Sequence, residues 1–378
     1  MVIFGFIFIV LLYFFQLVIF RRGLGVSSLL PRETDFVPTV SIIIAARNEE
    51  ERILACLQSL RQLEYPADKL EILIVDDCST DRTSAIVHTF IDQFGGMTLL
   101  KTPPESGNLR GKTNAIAHGI RNSRGEVIMF TDADCSVSPG WVRSTVRYFS
   151  EDTGIVGGFT ILKSQNIFHG IQALDWLYLF GIASATSGLG IPLTAIGNNL
   201  SIRRTAYNET GGYEVIPFSV TEDYSLVQTI LQKTRFSMRF PLEADAVVTS
   251  EPCDTISHLF RQKQRWSVGA LDMVPVGMVI VAIGWLIRAV TVLGLILLPW
   301  FFSLPALAAT LASDYLFLSR MFRLPPFRSL GKYFLFFEIY VTFYGLIIPF
   351  MAMGSRHVLW KERSLSVDKK NAFQEGRQ

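Results

Sequence analysis

The chain has 378 residues, 49% of them hydrophobic and 18% charged, with a formal net charge of +2. That length allows one large catalytic domain plus membrane segments, and the near-neutral balance argues against a nucleic-acid partner. Cys56, Cys78, Cys135 and Cys253 are scattered without paired spacing, which excludes a disulfide framework or zinc site of the usual kind and reads as reduced thiols facing the cytosol.

Residues 2–20 are apolar but for Gln16, about the length that crosses a bilayer core. Arg21 and Arg22 follow the apolar run and no small-residue cleavage site comes after them, so residues 1–22 are expected to be an uncleaved transmembrane anchor. By the positive-inside rule the next segment is cytoplasmic. A short polar linker, 31–38, leads into a domain expected over 39–270.

Within that domain, 40–46 is a continuous β-branched run, as in a parallel strand covered on both faces. Residues 48–60 have helical spacing with Glu49, Glu50 and Glu51 at the start, which suits a helix N-terminus. A second buried strand is expected over 70–75, a polar turn over 76–83, and a helix through 90. Further strands are expected at 97–100 and 126–130, with a helix at 112–122 between them. The alternation makes the fold α/β with a mainly parallel sheet. Beyond Trp141 the pattern loosens: an edge strand over 155–163, an apolar helix over 168–185 and a strand over 194–203 are expected, as in an acceptor-binding half.

The segment 273–318 carries only Arg288 and Asp314 as charges, enough for a two-span hairpin turning near Pro299. A further span is expected over 333–353, with Glu338 near one end. The loop between them holds Arg320, Arg323, Arg328 and Lys332 without an acid, which places it in the cytoplasm. The polar tail, 356–378, is also basic, and the two signals conflict. The acid-free loop is given more weight, so 271–355 is expected to hold three helices, four spans in all; the alternative is three spans, with part of 273–288 re-entrant. The protein is thus expected to be integral to a membrane of bacterial inner-membrane type, with its catalytic domain cytoplasmic.

The chemistry-bearing residues close the strands. Asp132 and Asp134 follow the 126–130 run, and two carboxylates so spaced can hold a divalent ion together with a diphosphate. Asp76 and Asp77 close the 70–75 run; Ser79, Thr80 and Asp81 read equally as helix caps. Gly111-Lys112-Thr113 resembles the end of a P-loop, but the glycine required five residues earlier is Ser106, so Arg110 and Lys112 remain as neutralisers of a diphosphate. No Gly-x-Gly-x-x-Gly follows a strand, which disfavours a nicotinamide dehydrogenase. Glu222 and Asp223 offer a general base or merely a helix-start acid. Gln262, Arg265 and Trp266 share nearly one helical face and offer phosphate bonds and a stacking wall, or an interfacial anchor. The five histidines show no ligand spacing.

Together, Ser41 to Glu50, Ile74 to Asp81, Arg110 to Asn114, Thr131 to Asp134, Gly197 to Asn199, Thr221 to Asp223 and the Gln262-x-x-Arg-Trp266 run resemble the family-2 glycosyltransferases of the GT-A fold over about residues 39–270. The resemblance implies an α/β nucleotide-diphospho-sugar transferase domain with transmembrane helices at both ends. It implies donor contacts at Ala46, Arg47, Glu49, Asp77, Lys112, Asp132, Gln262, Arg265 and Trp266. Asp132 and Asp134 would hold Mg²⁺ or Mn²⁺, and Gly197, Asn198, Asn199 and Trp266 would flank the acceptor. Asp223 would be the base, supported by Glu222. The membrane-bound subgroup that includes ceramide glucosyltransferase and polysaccharide synthases looks similar in carrying the last motif before membrane helices. The implied reaction is inverting transfer of a hexose from a UDP-sugar to the hydroxyl of a membrane-embedded lipid. A processive polysaccharide synthase is the alternative, disfavoured by the few spans, and a non-catalytic sugar-nucleotide binder is the alternative of another class.

Overall fold

The structure is a computed structural model and describes residues 2–29, 36–270, 273–353, 357–360 and 363–366. The first half of the chain forms α1 (Val2–Ser27), β1 (Val40–Ala46), α2 (Ile53–Arg61), β2 (Leu70–Asp76), α3 (Thr83–Phe94), β3 (Thr98–Lys101), α4 (Gly111–Arg121), β4 (Val127–Phe130), α5 (Trp141–Val146), β5 (Thr153–Gly157), β6 (Thr160–Leu162) and α6 (Ile167–Gly188). The second half forms β7 (Leu200–Arg203), α7 (Arg204–Glu209), α8 (Gly212–Val215), α9 (Glu222–Lys233), β8 (Ser237–Arg239), β9 (Val248–Ser250) and the helices α10 (Ile256–Gly269), α11 (Pro275–Leu297), α12 (Trp300–Leu318) and α13 (Phe334–Met353). A short hairpin, β10 (His357–Trp360) with β11 (Arg363–Ser366), ends the described chain. Most of the basic tail lies outside the described residues.

The chain divides into two compact units. One comprises Ser28–Thr160, Thr194–Glu251 and Arg356–Gln378; the other comprises Met1–Ser27, Ile161–Leu193 and Pro252–Ser355.

The first unit is built on a seven-stranded sheet in the order β3-β2-β1-β4-β7-β5-β8. Strand β1 pairs in parallel with both β2 and β4, and β2 in parallel with β3; β7 runs antiparallel to β4 and β5. The mainly parallel mixed sheet expected from the sequence is therefore present. Side chains alternate across it: Val40, Ile42, Ile44, Ile72 and Ile74 pack with Ile53, Leu57, Val87 and Phe90 of α2 and α3 on one face. Ile43 and Val75 meet Gly119 of α4 on the other. Both faces are covered, which is why these runs are continuously apolar.

Local differences from the sequence expectation have physical causes. Helix α2 starts at Ile53 rather than at 48, because Asn48 adopts a left-handed φ of 51° and Glu49, Glu50 and Asn48 bond to the 79–83 loop instead. The run 155–163 breaks into β5 and β6, and β5 lies between β7 and β8 rather than at an edge. Strand β7 starts only at Leu200, after a 3₁₀ turn at Gly197–Asn199.

The second unit is helical. Among the described residues, four helices are long and apolar enough to cross a membrane, at Ile3–Ser27, Pro275–Leu297, Trp300–Leu318 and Pro325–Ile348. That is the expected number, and the α11–α12 hairpin turns at Pro299 as expected. Where α1 meets α6, Gly23 and Gly188 let the backbones approach so closely that a Cβ on either would lie within 2.2 Å of a carbonyl oxygen. Arg288, Asp314 and Glu338 of these helices meet in one buried cluster. Arg288 bonds Asp314 and Glu338, each at 2.8 Å, and the Tyr13 and Tyr178 hydroxyls donate to Asp314 at 2.5 and 2.9 Å. Five helices, α1, α6, α11, α12 and α13, are tied by one buried network.

Removing the guanidinium leaves two buried carboxylates without a counter-charge. Arg288→Met is expected to cost about 3–5 kcal/mol of stability, read as a lowered unfolding midpoint of the detergent-solubilised protein. An unchanged midpoint would dismiss the network as a stabilising element.

Candidate active site

The C-terminal ends of β1, β2 and β4 lie side by side, because the three strands are parallel neighbours, and each ends in residues the sequence marks. Ala46 closes β1, and its carbonyl accepts the Asp77 N–H at 2.8 Å. Arg47 reaches across to donate to the Asp77 and Cys78 carbonyls at 2.6 and 3.2 Å. Asn48 and Cys78 both hold positive φ, 51° and 56°. Both positions follow the ends of the neighbouring parallel strands β1 and β2. Asp77 is buried, and Glu49 nearly so. Asp81 accepts from Thr83 N and Oγ1 at 2.9 and 2.6 Å. Partial burial opposes its ionisation, but these bonds outweigh it and hold the carboxyl below its usual range. Asp81 precedes the N-cap position of α3, which is Arg82, and its carboxylate joins the start of that helix to the Glu50 N–H.

Lys112 is placed by Gly111, whose φ of 49° starts α4 and whose N–H is held by Glu105 at 2.9 Å. The Lys112 ammonium lies 2.6 Å from Asp132 on the turn after β4 and 3.4 Å from Glu222 at the start of α9. Burial opposes its charge, but Asp132 and Glu222 together raise its pKa. Beside Asp132 and Asp134 the thiols of Cys56 and Cys135 are raised, first by burial and then by the two carboxylates.

Asp223 sits next to Glu222. One oxygen accepts the Gly197 N–H at 2.7 Å and the other the Tyr224 N–H at 2.8 Å. Its pKa is pushed up to about 6, chiefly by burial and then by Glu222, against the pull of the Gly197 bond and Lys112. A carboxylate so placed can exchange a proton closer to neutral pH than an ordinary aspartate. The structure therefore gathers Asp132, Lys112, Glu222, Asp223 and Gly197 into one constellation.

Residues 127–353 match the family described as glycosyl transferase family group 2, and residues 41–211 match glycosyl transferase family 2. The chain is a family-2 glycosyltransferase. Among similar curated proteins, a probable glycosyltransferase of Bacillus subtilis, YdaM, is 30% identical over 62% of this chain and 55% of its own length. A beta-monoglucosyldiacylglycerol synthase of Synechocystis is 29% identical over 61% of this chain and 48% of its own. A poly-beta-1,6-N-acetyl-D-glucosamine synthase of Staphylococcus epidermidis is 25% identical over 67% and 59%. The chain spans about half the length of the curated relatives it matches. A mannosyltransferase of Pyrobaculum calidifontis, solved with GDP-Man and Mn²⁺, shares the fold with a TM-score of 0.60 at 19% identity, over 93% of this chain and 96% of that one.

In this glycosyltransferase the Gly197–Asn199 turn is braced from within. Asn199 accepts from the Trp141 indole N–H at 3.0 Å and donates to the Phe159 and Ala246 carbonyls at 2.8 and 2.9 Å. Asn198 accepts from Thr160 at 3.0 Å. Both side chains are buried; the Gly197 N–H donates to Asp223, and the Asn199 N–H to the Ile196 carbonyl. Gln262, Arg265 and Trp266 lie on α10, in the helical unit. Among the described residues no group of three or more His, Cys, Asp or Glu could hold a metal ion. What the sequence did not disclose is the Lys112–Glu222 link, which joins residues far apart in the chain and leaves no local pattern.

Asn199→Ala would take the partner from the Trp141 indole N–H and from the Ala246 carbonyl, while the Phe159 carbonyl keeps the Val248 N–H; the expected loss is about 3 kcal/mol. Asn198→Ala, with one bond lost, is expected to cost about 1 kcal/mol. Chemical denaturation of the two variants tests the difference, and equal losses would refute the bracing role.

Proposed function

We propose that this glycosyltransferase is an integral membrane enzyme that moves a hexose from a UDP-sugar to the hydroxyl of a membrane-embedded lipid, with inversion. The observation that carries this reading is Asp223, a carboxylate oriented by Gly197 and Tyr224 beside a second acid, with Lys112 linking that pair to the Asp132 turn. The lipid acceptor is favoured by the apolar helices, whose outer surfaces expose Phe8, Phe15, Leu297, Trp300 and Phe343, and by the glucosyldiacylglycerol synthases among its relatives. Positive-inside charge placement puts the catalytic domain on the cytoplasmic side.

The donor's base and ribose are assigned to Ala46, Arg47, Glu49 and Asp77, and its diphosphate to Lys112, Asp132, Gln262 and Arg265. Trp266 supplies a stacking wall, and Gly197, Asn198 and Asn199 shape the acceptor side. Asp132 and Asp134 fit a hard divalent cation. Both are oxygen donors on an accessible turn, and Asp132 already carries a cation, the Lys112 ammonium. One or two carboxylates can hold Mg²⁺ or Mn²⁺ jointly with substrate phosphates, which supply further oxygens. Such an ion would neutralise charge on the departing diphosphate.

The chain's own groups do the rest. Asp223 accepts the acceptor's hydroxyl proton as that oxygen bonds to the anomeric carbon. The bond from that carbon to the diphosphate oxygen breaks, and its electron pair leaves with UDP. Glu222 keeps Asp223 basic enough to act, and Arg265 binds the phosphate charge that develops.

Asp223→Asn should lower turnover by about 100- to 10,000-fold while UDP binding, measured by calorimetry, persists. Full turnover with an intact fold would remove Asp223 as the base. Because the base must be ionised, activity should fall as pH drops through about 6. Lys112 lowers that pKa, so Lys112→Met should move the acid limb upward; a pH–rate profile decides it. Chelation should abolish transfer, with recovery on adding Mg²⁺ or Mn²⁺, and Asp134→Asn should raise the metal concentration required. Turnover that persists in chelator would refute the metal assignment. The polysaccharide synthases among the relatives favour a second reading, processive synthesis. Labelled donor would then give a ladder of product lengths rather than one glycolipid.

A further inference from the structure

The helical unit contains a second buried ionic site that the proposed chemistry does not use. Lys263 of α10 is only 3% exposed, and its ammonium is paired with Asp175 of α6. The same ammonium lies 4.3 Å from the centroid of the Trp266 ring and 5.3 Å from that of Tyr344 on α13. The Tyr340 hydroxyl donates to Asp175 at 3.5 Å, and the Trp176 ring packs 5.4 Å from that of Trp266. An ammonium is buried only at a cost unless it is paired and surrounded by groups that favour its charge. Here one carboxylate and two aromatic faces meet that need, and they come from three helices.

Helical geometry gives this site a consequence. At 3.6 residues per turn Lys263 and Ser267 share one face of α10, and both are buried. Gln262 and Arg265 fall on another face and are half-exposed. Whatever fixes Lys263 therefore fixes the direction in which Gln262 and Arg265 point. It also fixes Trp266, whose ring is held by the ammonium on one side and by Trp176.

We propose that the Lys263–Asp175 pair is a positioning device that sets the roll of α10 and the rotamer of Trp266, and thereby presents Gln262 and Arg265 to a nucleotide diphosphate. The last step rests on the function proposed above. Lys263 acts through its neighbours; it need not touch the donor.

The test uses the full-length protein in detergent–lipid micelles, as Lys263→Met, Asp175→Asn, the double variant and Lys263→Arg. Each single neutral variant should raise the apparent KM for UDP-sugar about tenfold or more, equivalent to about 1.4 kcal/mol. The KM for the lipid acceptor should stay within about twofold. The double variant should be no worse than the singles, since they remove one interaction, and Lys263→Arg should recover part of the loss. Donor and acceptor KM that are unchanged, or that worsen together in step with a lowered unfolding temperature, would reduce the pair to a structural brace and overturn the proposal.

A second measurement needs no substrate. In a Cys78→Ser background, Gln262→Cys should react with a maleimide faster than Ser267→Cys. Lys263→Met should narrow that ratio; an unaltered ratio would overturn the roll. Should the ratio respond while the wild-type chain neither binds nor turns over any UDP-sugar, the positioning of α10 stands and the donor assignment falls.

Discussion

The site depends on one ammonium. Asp132 and Glu222, with Asp223 beside it, bring carboxylates together from the end of a parallel strand and the start of a distant helix. Like charges so close raise one another's pKa and work against the local fold. Lys112 offsets that repulsion by bonding the first and approaching the second. Its placement comes from backbone: Gly111 takes a left-handed φ, and Glu105 holds its N–H. The sheet, the α4 start and the α9 start thus meet at one side chain. A divalent cation held at Asp132 would share the neutralising work that Lys112 does there.

Two opposing influences set the acidity of Asp223, the base in the proposed reaction. Burial and Glu222 raise Asp223, while the Gly197 and Tyr224 N–H groups and Lys112 lower it. Either set alone would give a worse catalyst: a carboxyl still protonated at neutral pH, or a carboxylate too weak to take a hydroxyl proton. The Gly197 bond also fixes where the base points, so one contact serves orientation and acidity together. The internal bonds of Asn199 then matter at a distance, because they hold the 3₁₀ turn that offers this N–H.

Much of this was legible in the sequence for a specific reason. A parallel strand covered on both faces must be apolar throughout, so the acid that ends it stands out, as Asp76 and Asp132 do. Helix hairpins announce themselves similarly, by length and a proline between. The start of α2 was not legible: Glu49, Glu50 and Glu51 look like a first helical turn, yet Glu49 and Glu50 bond to Thr83 and Asp81 on a loop thirty-odd positions away. Lys112 was placed at the diphosphate by its motif, but its tie to Glu222 is tertiary and carries no periodicity. Lys263 was hidden for the opposite reason. Between Gln262 and Arg265 it looks like one more solvated charge, and only the roll of the helix makes it interior.

The helical unit repeats, in an apolar setting, the logic of the sheet-based one: charge is admitted where it joins elements that are distant in sequence. Arg288, Asp314 and Glu338 tie three of the long apolar helices to one another, with Tyr13 and Tyr178 bringing in two more. Lys263 and Asp175 tie α10 to α6. Helix α6 belongs to both sets, through Asp175 and Tyr178, which are three positions apart and therefore neighbours on its surface. An apolar helix without these two residues could slide or turn among lipid-like partners, since hydrocarbon contacts have little directional preference. With them, its rotation and its height are both specified, and so are those of the helix that carries Gln262, Arg265 and Trp266.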